Sequence, residues 1–227
     1  MKKAVLFDMF FTLADPRDEL RELESDPLGM TPEEWNHYFW NEDLCRDRAL
    51  GNFESGAELI DRACRLLPFP VSEAQKAAVL EGRMTRMRTA LTDLRPGIPE
   101  TLQALRDKGL RLAVISNADV IDIAAWNKSP LAPFFDAAVF SCSVHLIKPE
   151  PEIYRLALER LGVGPEEAVF VGDGGDHELD GAKAVGLATV WTEYLQRKIE
   201  KYRAVIRPFA DYHIDDIREL VPLIETM

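Results

Sequence analysis

Four short segments of the chain place acidic, basic and hydroxyl side chains where they could break a covalent bond. In order, they are Phe7-Asp8-Met9-Phe10-Phe11-Thr12-Leu13, Val114-Ile115-Ser116-Asn117, Lys148-Pro149-Glu150-Pro151-Glu152-Ile153-Tyr154 and Phe170-Val171-Gly172-Asp173-Gly174-Gly175-Asp176. An ionised carboxylate such as Asp8 can attack phosphorus or carbon, forming a covalent intermediate that water later resolves. A phosphoryl group is itself anionic, so that attack needs positive charge close by. A lysine and a divalent cation held between two carboxylates would supply it. Mg²⁺ suits a site built from a few carboxylates, a backbone carbonyl, waters and substrate oxygens. A strand ending in aspartate is common, so no segment is informative alone; four in sequence order define a candidate site.

The elements that would position these residues alternate. Short apolar runs at Ala4 to Phe7, Leu110 to Ile115, Ala137 to Phe140, Ala168 to Val171 and Leu187 to Trp191 read as buried parallel strands. Between them, Ile98, Leu102 and Leu105, then Ile153, Leu156, Ala157 and Leu161, then Leu179, Ala182 and Val185 keep helical spacing, each set ending at a glycine. The fold class expected is α/β, a doubly wound, Rossmann-like parallel sheet with right-handed crossovers. Residues 14–94 interrupt the alternation with helical signals alone. Thr31 to Glu34 and Ser72 to Gln75 are capping boxes, and Ala57, Ile60, Cys64 and Leu67 share one helical face. The expectation is a core of residues 1–13 and 95–227 with an all-helical cap, residues 14–94, over the carboxyl edge of the sheet. The aromatic cluster Trp35, Tyr38, Phe39 and Trp40 reads as cap core or a subunit contact rather than a pocket lining. Arg83, Arg86 and Arg88 read as a solvated helix face.

The four motifs in this order resemble the haloacid dehalogenase superfamily, and the resemblance covers nearly the whole chain. It implies that Asp8 is the nucleophile and Lys148 the fixed cation. Thr12, Ser116 and Asn117 would contact the substrate or its phosphate. It also implies that Asp8, Asp173 and the Phe10 carbonyl bind Mg²⁺, with Asp176 or Glu178 in support behind them. The chain departs from the family pattern in the first motif. Phe10 stands where family phosphatases carry a second Asp that protonates the leaving oxygen, and Phe11 replaces the usual glycine. Haloacid dehalogenases have an aromatic residue at the Phe10 offset, but their fourth motif carries serine where this chain has Asp173. His145 and His177 fall in the site loops and are candidates for the missing proton donor.

Three readings follow. The leading one is a Mg²⁺-dependent phosphatase acting on a small anionic metabolite. The others are a 2-haloacid carbon–halogen hydrolase and a binding protein that keeps the pocket with little turnover. A formal net charge of -12 on 227 residues argues against nucleic acid or an anionic membrane as partner. No apolar run approaches the roughly 20 residues of a membrane helix, and the first residues lack the apolar core of a signal peptide. Three scattered cysteines, Cys45, Cys64 and Cys142, fit free thiols in a reducing cytoplasm. The sequence leaves the oligomeric state and the substrate open.

Overall fold

The computed structural model describes residues 2–16 and 23–227; residue 1 and residues 17–22, the latter within the expected cap segment, lie outside that description. Among the described residues, six strands form one sheet: β1 (Ala4–Phe7), β2 (Arg111–Ser116), β3 (Ala137–Phe140), β4 (Ala168–Gly172), β5 (Ala188–Thr192) and β6 (Tyr212–Ile214). All pairings are parallel, in the order β3-β2-β1-β4-β5-β6. The five apolar runs each became a strand. β6 was not expected from the sequence because it is a three-residue edge strand whose Tyr212 and His213 face solvent, leaving Ile214 as its buried residue.

Alternation along β1 assigns its side chains to two faces. Val5 and Phe7 pack in a cluster with Ile98, Leu102 and Leu105 of α5 (Ile98–Asp107) and Leu220 and Ile224 of α10 (Leu220–Glu225). Ala4 and Leu6 pack with Ile153, Ala157 and Leu161 of α7 (Pro151–Leu161) and with Leu179 and Ala182 of α8 (Glu178–Ala184). Two further helices are α6 (Ser141–Val144) after β3 and α9 (Glu200–Ile206) after β5.

Between β1 and α5 lies a helical block: α1 (Pro32–Phe39), α2 (Glu42–Ala49), α3 (Gly56–Cys64) and α4 (Glu73–Thr92). Both capping boxes form, with Thr31 on Glu34 and Ser72 on Gln75. The block has its own apolar cluster around Trp35, Phe39, Leu59, Ile60 and Val79, which also takes in Ile121 from the segment after β2. Trp35 and Phe39 therefore serve as interior packing, Tyr38 is half-buried and Trp40 is exposed. The far end of α4, at Ala90 and Leu91, belongs to the sheet's own cluster.

Arg83 corrects the expectation of a solvated arginine face. It is buried, with Nη2 2.6 Å from Asp122 Oδ1 and 3.4 Å from Asp119 Oδ2, and Nη1 3.5 Å from Glu24. Arg48 of α2 meets the same Asp119 oxygen at 2.9 Å, and both guanidinium groups lie over the Phe39 ring. Arg86 is half-buried and donates to the Pro16 carbonyl; Arg88 alone of the three is exposed. The acids lie just after β2, so helical spacing within α4 could not reveal them. Burial alone would raise the Asp119 carboxyl, but Arg83 and Arg48 outweigh it and hold the group below its usual range. Replacing Arg83 by Met strands buried carboxylates and should cost about 3–5 kcal/mol. Urea denaturation checks this, and a loss below about 1 kcal/mol would show that the network is not coupled to folding in this way.

The three cysteines are free. Burial pushes the Cys64 and Cys142 thiols up to about 11. Among the described residues no helix is long and apolar enough to cross a membrane.

Candidate active site

The strand order reverses direction between β1 and β4, and a crevice opens at such a switch point, outside the carboxyl ends of the strands. Asp8 follows β1 there, and its N–H donates to the Val171 carbonyl of β4 at 2.9 Å. The Asp8 side chain is buried, and both of its oxygens accept hydrogen bonds. Lys148 Nζ donates to Oδ1 at 2.6 Å and Thr12 Oγ1 to Oδ2 at 3.0 Å.

Lys148 is shared. Its Nζ also donates to Glu178 Oε2 at 2.6 Å, and all three residues are buried. Burial alone would favour a neutral amine, but Asp8 and Glu178 overcome it and raise the Lys148 pKa, so the group stays charged. Its backbone is clamped by Asn117, whose Oδ1 accepts from Lys148 N at 2.8 Å and whose Nδ2 donates to Lys148 O at 3.0 Å. Nδ2 also lies 3.2 Å from Asp176 Oδ2. Asn117, expected to contact the substrate, holds Lys148 by both ends of its backbone. The Lys148–Pro149 peptide is cis.

Asp173 follows β4 and is buried. Its Oδ1 accepts from Gly175 N at 3.0 Å, its carbonyl accepts from Trp191 Nε1 at 3.1 Å, and Lys198 Nζ stands 2.5 Å from Oδ2. Glu178 opens α8, and its Oε1 accepts from Gly174 N at 3.0 Å. Gly172 makes that approach possible, because a Cβ there would lie 2.1 Å from Glu178 Oε1. Tyr154 adds a hydrogen bond to the Glu178 carbonyl at 2.8 Å.

Carboxylate oxygens of Asp8, Asp173 and Glu178 lie within 4.8 Å of one another. Three oxygen donors on hard anionic groups match the chemistry of Mg²⁺, so the residues present fit that ion. Burial, with Asp8 adding to it, pushes Glu178 well above the usual carboxylate range. Burial also raises Asp8; Lys148 opposes this and Asp173 adds to it. Glu178 lies beside Asp8 and Asp173 in this cluster, with its two oxygens hydrogen-bonded to Lys148 and Gly174. Asp176 is exposed and instead meets Asn117.

The first loop keeps its tight path without glycine. Phe11 sits at φ 59°, a left-handed conformation that costs a residue with a Cβ about 1–2 kcal/mol. Its N–H donates to the Ala14 carbonyl at 2.7 Å, and Leu13 and Ala14 both donate to Met9. The Phe10 ring is half-buried against the main apolar cluster. Ser116 is buried at the end of β2, with Oγ 3.4 Å from the Asn117 carbonyl. His145 does not join the acidic cluster: its Nδ1 is 2.6 Å from the Leu50 carbonyl, tying the loop after α6 to the helical block. His177 is exposed at φ 54° before α8. Lys198 was missed, since nothing in its local charge run distinguishes it from a solvated lysine.

Residues 2–186 match the model of a family described as haloacid dehalogenase-like hydrolase. The glyceraldehyde 3-phosphate phosphatase of Pyrococcus furiosus is 33% identical over 152 residues; the match covers 65% of this chain and 62% of that protein, less than two thirds of its length. The protein CbbY of Cereibacter sphaeroides is 29% identical over 97% of this chain and 94% of its own. Among solved structures, CbbY from Rhodobacter sphaeroides in complex with phosphate is 28% identical with a TM-score of 0.60, covering 97% of this chain and 96% of that one. The L-2-haloacid dehalogenase RSc1362 superposes with a TM-score of 0.69 over 99% of each chain; at 23% identity it shares the fold.

Proposed function

The chain belongs to the haloacid dehalogenase-like hydrolases, and from that premise we propose that it hydrolyses a phosphate monoester of a small metabolite, with Asp8 as nucleophile and Mg²⁺ as cofactor. The observation that supports this reading most is the buried cluster of Asp8, Asp173 and Glu178 around Lys148. Displacing a halide from carbon needs no cation between carboxylates, whereas attack by an anion on an anionic phosphoryl group does.

In this mechanism an Asp8 oxygen forms a bond to phosphorus as the bond to the ester oxygen breaks, and the departing oxygen takes its proton from solvent water. Water then attacks the phosphorus, releasing inorganic phosphate and restoring the Asp8 carboxylate. Lys148 offsets the negative charge of Asp8 and of the incoming phosphoryl group, its ammonium held in place between Asp8 and Glu178. Thr12 and Ser116 donate to the phosphoryl oxygens. Asp8, Asp173 and Glu178 would hold Mg²⁺, which would lower the repulsion between nucleophile and substrate. Residues 14–94 act as a cap that excludes water and selects the rest of the substrate.

Phe10 favours a second reading, carbon–halogen hydrolysis, because that chemistry needs no acid for its leaving group. One experiment separates the two. Phosphate release from a panel of small phosphate monoesters should require Mg²⁺ and should be lost with chelator and in Asp173→Ala. Phosphate release that survives thorough chelation rejects the metal, and halide release from a 2-haloacid without metal selects the second reading.

A further inference from the structure

A lysine outside the four motifs reaches the acidic cluster. Lys198 lies in the loop between β5 and α9, with its Nζ 2.5 Å from Asp173 Oδ2 and its side chain 17% exposed. The loop that carries it is anchored by Glu193, whose side chain is 1% exposed. Glu193 Oε1 accepts the Lys198 N–H at 2.8 Å, while Oε2 meets Arg203 at 3.0 Å and His213 Nε2 at 3.2 Å. A fixed backbone thus aims a long flexible side chain at one carboxylate. Gln196 Oε1 accepts from the same ammonium at 2.8 Å, and the Phe11 ring centroid lies 5.7 Å from it. Three carboxylates therefore face two ammonium groups, Lys148 on Asp8 and Glu178, and Lys198 on Asp173.

We propose that Lys198 is a tethered counter-ion of Asp173 that competes with a divalent cation for that carboxylate, so that the protein binds Mg²⁺ weakly and exchanges it against its own ammonium group. The inference rests on the metal reading above and deepens it. An ammonium already in contact with Asp173 Oδ2 must leave that oxygen before a cation can take it, and the two like charges would otherwise repel across a few ångströms. Gln196 provides a resting partner for the displaced side chain. Lys148 has no comparable freedom, because it is fully enclosed between two acids and its backbone is clamped.

Calorimetric titration of the full chain with MgCl₂ and with MnCl₂ tests this in the wild type, Lys198→Met and Lys198→Arg. Lys198→Met should tighten cation binding roughly ten- to a hundredfold, the size expected when the incoming ion no longer has to break one hydrogen bond between charged groups. Lys198→Arg keeps the charge and should not reproduce the gain. Equal or weaker binding by Lys198→Met overturns the inference while leaving the metal reading standing; no binding by any of the three overturns both. Thermal unfolding without metal gives a second readout. Lys198→Met should lower the melting temperature in the Asp173 background and have no such effect in Asp173→Asn. An unchanged melting temperature in the Asp173 background overturns the ion pair itself.

Discussion

Asp8→Asn is expected to lose turnover by on the order of 10⁴-fold or more while keeping its fold, the size seen when a covalent nucleophile is removed. The amide is nearly isosteric with the carboxylate, so its oxygen can still accept from Lys148 and its NH₂ can donate to the Thr12 hydroxyl, which then serves as acceptor. What disappears is the lone pair at full negative charge that must attack. The substitution also removes one of three buried acids, so repulsion within the cluster falls while Lys148 keeps Glu178 as a partner. Far-ultraviolet circular dichroism and urea denaturation should therefore match the wild type closely. A well-folded Asp8→Asn variant retaining more than about a few per cent of turnover would end the covalent mechanism.

The second large effect concerns the leaving group. Phe10 cannot transfer a proton, and its ring is committed to packing. Phosphate ester hydrolysis should then depend steeply on leaving-group pKa, with activated aryl phosphates cleaved far faster than alkyl phosphates. Phe10→Asp supplies a carboxylic acid two residues after Asp8, and alkyl phosphate turnover should rise selectively, by at most the roughly 10²–10⁴ that a general acid contributes. Loss of the ring from the apolar cluster reduces that gain, so folding must be followed in parallel. The measurement is rate against leaving-group pKa for both proteins. A flat dependence in the wild type, with chemistry rate-limiting, would mean that another group already donates the proton.

Much of this architecture was legible because it is written in short-range patterns. Ala4 to Phe7 is apolar on both faces because both faces are covered, and the glycine at 162 closes α7 in the left-handed conformation the sequence led one to expect. Asp8, Lys148 and Asp173 stood out because each belongs to a motif whose place in the order is informative, and the fold brings the three together. The failures share one cause, which is that long-range partners leave no periodic trace. Arg83 looked solvated until Asp119 and Asp122 were placed beside it. That the Asn117 amide meets both backbone ends of Lys148 was not visible either. Glu178 gained weight only when Gly172 was seen to leave room for it. Lys198 could not be picked out from Arg197 and Lys201 without knowing where Glu193 turns the chain.

The register of β1 has a consequence for how the molecule comes into being. Ala4 lies between Arg111 on one side and Ala168 on the other. A ribosome adding about 5–20 residues per second delivers those neighbours only seconds to tens of seconds after β1 itself. In that interval Ala4 to Phe7, apolar on both faces, has no strand to pair with. Contacts of such wide sequence separation also slow folding, because loop closure costs entropy before any pairing repays it. A nascent chain cut short before Ala168 would hold a half-paired central strand, a species prone to aggregation. The carboxylate of Asp8 is therefore the first side chain of the site to be synthesised and among the last to be set in place.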